Sequence, residues 1–333
     1  MFRTLTLATC TSILVLGGIA TRASAAELKV VASFSIIADL AKNVGGDRVE
    51  ISSLVGPDGD AHVYQPRPAD AAALEGADVV LVNGLQFEGF MSRLIETSGT
   101  QAAVVEVSKG IEPLKNAEEG HAQHEGEAAA AGHEHAGGDH IEAGHDDHGH
   151  EGHHHHGEFD PHAWQSIHNA ETYVKNIADA FCEADEAGCA TYTTNSEAYL
   201  VKLAELETEV KSAVEAIPAE KRTIITSHDA FGYFERDYGL NFIAPEGVST
   251  EAEASAADVA RLIDQVKEDK ASAVFIENIA NPRLVEQIAS ETGLTVGGTL
   301  YSDALSGEDG PARTYIDMFR YNVNTIMSAI VGH

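Results

Sequence analysis

The chain has 333 residues, 44% of them hydrophobic, with 21 Lys and Arg against 53 Asp and Glu, a formal net charge of −32. That length accommodates two ordinary domains. So acidic a surface repels phosphate backbones and argues against nucleic acid as a partner, whereas it attracts cations.

The N-terminus reads as an export signal. Met1, Phe2 and Arg3 give a positive start, Leu5 to Ala20 is a short apolar run, and Ala23-Ser24-Ala25 matches a small-x-small cleavage site. Cys10 lies inside the apolar run without a lipoprotein-type cleavage context. Residues 1–25 are therefore expected to leave, giving a soluble periplasmic product that is not membrane-embedded. Their loss removes only Arg3 and Arg22 from the charged residues. No later stretch reaches the roughly 20 apolar residues of a spanning helix.

From Leu28 the chain alternates β-rich runs with amphipathic ones. LKVVASF, VEISSLVG, ADVVLVNG and AAVVEVS predict strands, with helices over IIADLAKNVGG and RPADAAALEGA. Residues 115–158 break this pattern. Twelve of the 17 histidines fall between 121 and 156, among Gly, Ala, Asp and Glu and almost no aromatic or branched residues. Such a composition cannot offset its ordering entropy by burial, so a disordered insertion is expected.

Helices are predicted over NAETYVKNIADAF and over a longer run, TYTTNSEAYLVKLAELETEVKSAVEAIP, that Pro218 ends. A second α/β series follows: RTIITSH, a helix through Phe234, LNFIAP, a helix from Ala256 to Lys267, SAVFIEN, a helix over PRLVEQIASETG, TVGGTLYSD, and a helix to Ile330. Strands separated by helices favour mostly parallel sheets flanked by helices. The expected α/β architecture is an N-terminal lobe over 26–189, a linking helix over 190–216 and a C-terminal lobe over 217–333, with the functional site in the cleft. In an oxidising compartment Cys182 and Cys189, in FCEADEAGCA, read as a local disulfide rather than a thiolate metal site.

Outside the insertion the histidines are His62, His162, His168, His228 and His333. Open α/β sheets place ligand groups just beyond strand ends. His62 follows a strand in VGPDGDAHVYQPRP, His228 ends TIITSH before a helix, and Asp303 holds the matching place in GTLYSDALS. His162, in FDPHAWQ, follows the insertion. Singly each is weak, since loop histidines are usually surface polar groups, and His168 is left as one. Jointly, three imidazoles and a carboxylate from two lobes make a four-coordinate set that suits zinc. Glu277, in FIENIANP, is a reserve carboxylate, read as a group that orients a ligand or caps a helix.

At these residues the chain resembles the metal-binding components of ABC transporters, in the zinc-specific group of ZnuA and AztC type. The resemblance covers essentially the whole chain after the signal, through GPDGDAHVYQPRPAD, the His-rich insertion before DPHAW, SHDAFGYF, YSDALS and the long linking helix. It implies Zn2+ held between lobes by His62, His162, His228 and Asp303 and handed to a membrane permease driven by a cytoplasmic ATPase. A monomer is expected, and a periplasmic zinc chaperone is a candidate loader. Manganese-binding relatives carry a carboxylate at the third position, where His228 stands. Many ZnuA-type members have glutamate immediately before the first histidine, where this chain has Ala61, with Asp60 one further back. That departure and the Cys182/Cys189 pair look like the AztC subgroup.

The insertion's His145, His148, His150 and His153, His154, His155 and His156 can take zinc as neutral imidazoles. A chain that must order itself at each binding event binds more weakly, so these are read as auxiliary low-affinity ligands. Two rival functions have their own signatures. A zinc hydrolase needs an open coordination position and a general base, and no HExxH occurs. A free-standing periplasmic zinc buffer or metallochaperone would share the site and lack the transporter.

Overall fold

A computed structural model describes residues 28–116, 157–252 and 254–332. The expected export signal and nearly all of the insertion, including the seven auxiliary histidines, lie outside the described residues. Among the described residues no helix is long and apolar enough to cross a membrane.

In the first lobe β1 (Leu28–Phe34), β2 (Val49–Val55), β3 (Val79–Val82) and β4 (Ala103–Glu106) form a parallel sheet in the order β2-β1-β3-β4. The central strands are buried on both faces, which explains their unbroken Val and Leu runs. Helices α1 (Ser35–Gly45), α2 (Pro68–Glu75) and α3 (Met91–Ser98) connect them. Asp70 fixes the start of α2: its Oδ2 accepts from the Arg67 N–H at 2.6 Å and the Tyr64 hydroxyl at 2.8 Å. The two-turn α3 has no counterpart in the periodicity reading.

Helix α4 (Ile167–Ala184) closes the lobe, and α5 (Cys189–Glu215) links it to the next. Along α5 the buried side chains are Tyr192, Ser196, Tyr199, Leu203, Leu206, Val210 and Val214. Steps of three and four put them on one stripe, which packs on α1 and α4 of the first lobe and on α9 (Tyr315–Ile330) of the second. At 1.5 Å per residue this helix is about 40 Å long. Cys182 and Cys189 form the expected disulfide between the ends of α4 and α5.

The second lobe repeats the plan. Strands β5 (Thr223–Ile225), β6 (Asn241–Ile243), β7 (Ala273–Glu277) and β8 (Val296–Leu300) run parallel in the order β6-β5-β7-β8. Between them lie α6 (Gly232–Tyr238), α7 (Ala256–Asp269) and α8 (Arg283–Thr292). One apolar cluster runs from Leu28 in β1 through α4 and α5 to Ile330 in α9, so the lobes share a core. Parting them widely would expose that surface to water, at roughly 25 cal/mol per Å2 of apolar area.

Candidate metal centre

The site lies where the strand ends of the two sheets face each other. His62 is on the loop after β2, His228 follows β5, and Asp303 follows β8. His162 stands immediately before a short 3-10 turn that leads into α4. The four expected residues converge. One donor atom from each lies within 4.8 Å of all the others.

The separations fit one small ion. His62 Nε2 is 3.4 Å from His162 Nε2 and 3.2 Å from Asp303 Oδ2, and His228 Nε2 is 3.1 Å from the same oxygen. Donors held ~2.0–2.1 Å from a tetrahedral zinc are about 3.3 Å apart. His162 Nε2 is 3.7 Å from Asp303 Oδ1. His162, His228 and Asp303 are fully buried, and neither oxygen of Asp303 makes an aligned hydrogen bond, nor does His228 Nε2. A buried carboxylate without hydrogen bonds is costly to keep, and a cation at the centre of the four donors would compensate it.

Carboxylates behind the imidazoles set their orientation. Asp160 Oδ1 accepts from the His162 N–H at 2.9 Å and contacts His162 Nδ1 at 2.7 Å. The hydrogen thus sits on Nδ1, and the Nε2 lone pair faces the other donors. Gly232 makes room for this carboxylate, because a Cβ there would lie 2.7 Å from Asp160 Oδ2. Glu277 serves His228: its Oε1 accepts from the N–H groups of Ser227 (2.7 Å) and His228 (2.9 Å). Its Oε2 lies 2.7 Å from His228 Nδ1, off the line of a hydrogen bond but within ion-pair range. Glu277 stands behind a donor rather than among the donors, and His168 lies exposed on α4.

Asp160 escaped the sequence reading, although its signal was present. Asp60 and Asp160 each precede a histidine by two residues, the spacing at which an Asp side chain caps a backbone N–H. Asp60 Oδ1 accepts from the His62 N–H at 2.8 Å, as Asp160 does for His162.

These surroundings split the imidazoles. Burial pulls His62 below the ordinary histidine value. Burial also pulls on His228, but the Glu277 and Asp303 carboxylates outweigh it and hold His228 well above that value. Burial pushes Asp303 up, yet His228 and His162 outweigh it and hold Asp303 well below the usual carboxylate range. Taken together, these directions favour the proton on His228 beside an ionised Asp303, and the neutral form of His62.

The lobes are stitched together around the donors. Ser302 O, beside Asp303, accepts from Trp164 Nε1 (2.8 Å) and Gln165 Nε2 (2.6 Å), just past His162. On the His62 loop, Asp58 donates its N–H to Leu305 O at 2.9 Å, and Asp60 Oδ2 accepts from the Thr250 hydroxyl at 2.6 Å.

Comparison with known proteins places the chain among metal-binding proteins. The chain is 33% identical over 303 residues to the manganese-binding lipoprotein MntA of Halalkalibacterium halodurans, covering 91% of this chain and 88% of the relative. It is equally similar to the iron-binding protein YfeA of Yersinia pestis, over 91% and 86%. Among solved structures, the periplasmic zinc-binding protein TroA of Treponema pallidum superposes with a TM-score of 0.75 at 29% identity, covering 91% of this chain and 99% of that one. The family model for ZnuA, the periplasmic component A of a zinc-uptake complex, matches residues 30–329. The chain belongs to that family, a metal-binding component of ABC transporters and not an enzyme.

Proposed function

We propose that this protein binds Zn2+ outside the cytoplasm and delivers it to an ABC-transporter permease for ATP-driven import. The observation that carries the metal is the donor set, three imidazole Nε2 atoms and one carboxylate at near-tetrahedral spacing. Manganese suits carboxylate, carbonyl and water oxygens with higher coordination, whereas zinc accepts four mixed nitrogen and oxygen donors. His62, His162, His228 and Asp303 are assigned as the ligands.

Relatives named for manganese and iron make the choice of ion the point to test. Competition of Zn2+, Mn2+ and Fe2+ for the metal-stripped protein, followed by removal of weakly held metal and mass-spectrometric counting, is expected to leave one tightly held zinc per chain. Preferential retention of manganese would overturn the zinc reading. The chain is proposed to act as a monomer in the periplasm after loss of residues 1–25, with a zinc chaperone as a candidate loader.

A further inference from the structure

Three of the four donors are sealed. His162, His228 and Asp303 have no exposed surface, while His62 keeps 8%. His62 also differs from the other three in lining a cavity of about 520 Å3 beside the site. Its walls come from both lobes: Gln86, Glu88 and Ser92 on one side, Ser249 and Glu251 on the other. Phe87, packed 4.8 Å from the His62 ring, separates this space from Trp164 and the interior.

We infer that this cavity is the port through which the ion enters and leaves, with His62 the first ligand engaged and the last released. The inference rests on the metal-binding reading above but not on the choice of zinc. Six waters at ~30 Å3 each take about 180 Å3, so a divalent cation fits the cavity with its hydration shell intact. The Glu251 carboxylate and the amide and hydroxyl oxygens of Gln86 and Ser249 make the wall attractive to a cation. His62 Nε2 then replaces one water. The remaining waters give way to His162 Nε2 and Asp303 Oδ2, 3.4 and 3.2 Å from it, and to His228. Release reverses the order, so an accepting donor must approach through the same opening.

A port controls rates without controlling equilibrium, and this separates it from a ligand or a fold defect. Ser249→Trp and Ser92→Trp plug the cavity from opposite walls, and Val201→Trp, exposed on α5 and outside the cavity lining, is the control. Metal loading and chelator-driven release are measured by stopped flow on the full chain, with Kd from competition titration. The ion used is whichever divalent cation the wild type binds, so that loss of the zinc reading leaves this test intact. Both plugs are expected to slow loading and release together by about tenfold, with Kd held within about twofold and the control unchanged. Wild-type rates in both folded plugs would overturn the port. So would a change in Kd carried by the release rate alone, because that marks distortion of the donors.

Discussion

The Tyr233 hydroxyl, near the start of α6 in the second lobe, donates to the main-chain carbonyl of Asp160 at 2.8 Å and accepts from the Leu114 N–H at 3.1 Å. One side chain thus grips both strands at the base of the insertion and the residue that orients His162. On the other side, Asn83 Nδ2 of the first lobe donates to Pro161 O at 2.9 Å. Tyr233→Phe leaves a buried carbonyl and a partly buried N–H without their partner, a cost of about 1–3 kcal/mol. We expect a lower melting temperature and faster zinc release, because Asp160 loses an anchor. Unchanged melting and release would show that the grip is not needed.

The ligand assignment has a graded test. His62→Ala, His162→Ala and His228→Ala each remove one of four donors and should weaken zinc binding severely. Asp303→Ala can leave a three-histidine site with water in the gap. Glu277→Gln keeps the Oε1 acceptor for Ser227 and His228 and loses the charge facing His228 Nδ1. Changing such a partner of a ligand costs about 10–100-fold in affinity. A His228→Ala protein with wild-type affinity in chelator competition would sink the assignment.

Metal binding should also release a proton. His228 is held protonated above the ordinary histidine range by Glu277 and Asp303, and burial keeps His62 neutral. Zinc needs the His228 lone pair and must displace that proton. Below the His228 pKa, each unit fall in pH therefore weakens binding about tenfold per proton displaced. The dependence persists through neutral pH instead of fading above the usual histidine value. Calorimetry in buffers of different ionisation enthalpy measures this number directly, and a value of zero at pH 7 would contradict the ion pair.

Much of this was legible in the sequence, for identifiable reasons. The alternation of strand and helix follows from long apolar runs such as Val79–Val82, and the donors are polar residues just beyond strands. Helix α3 was not legible. It has eight residues and no side-chain cap at Phe90, so neither length nor capping announces it. Tyr233 was hidden for another reason. Its partners are set by how the lobes pack, and no local period encodes a contact between residues 73 positions apart.

The Cys182–Cys189 bond is a separate matter from the site. It joins α4 to α5 across a separation of seven residues. Closing so short a loop restricts the unfolded chain by about 2–3 kcal/mol. The Cys182→Ser, Cys189→Ser double variant should unfold at lower denaturant and bind zinc as the wild type does. Free thiols in periplasmically produced wild-type protein, found by intact-mass analysis, would contradict the bond.

The last prediction concerns the insertion, whose two ends meet. Asn116 donates its N–H to Glu158 O at 2.9 Å, Asp160 donates to Leu114 O at 2.9 Å, and Lys115 pairs with Phe159 in an antiparallel bridge. Deleting residues 118–156 therefore leaves two residues, 117 and Gly157, between a hydrogen-bonded pair. That is the length of a tight hairpin, and Ala117→Asn would supply the Asn-Gly such turns prefer. None of His62, His162, His228 and Asp303 is removed, so one tight zinc equivalent should survive. The weaker equivalents carried by His145 to His156 should vanish. Equilibrium affinity of the tight site should hardly change, because its donors are ordered before the metal arrives. Loading should slow when zinc is scarce. His156 is six residues from His162, so metal held on the insertion sits on a short tether at high local concentration. Chelator titration of the deletion variant with parallel stopped-flow loading reads both halves. Loss of the tight equivalent would show that the insertion supplies a true ligand, and equal loading rates at every zinc supply would leave it a passive linker.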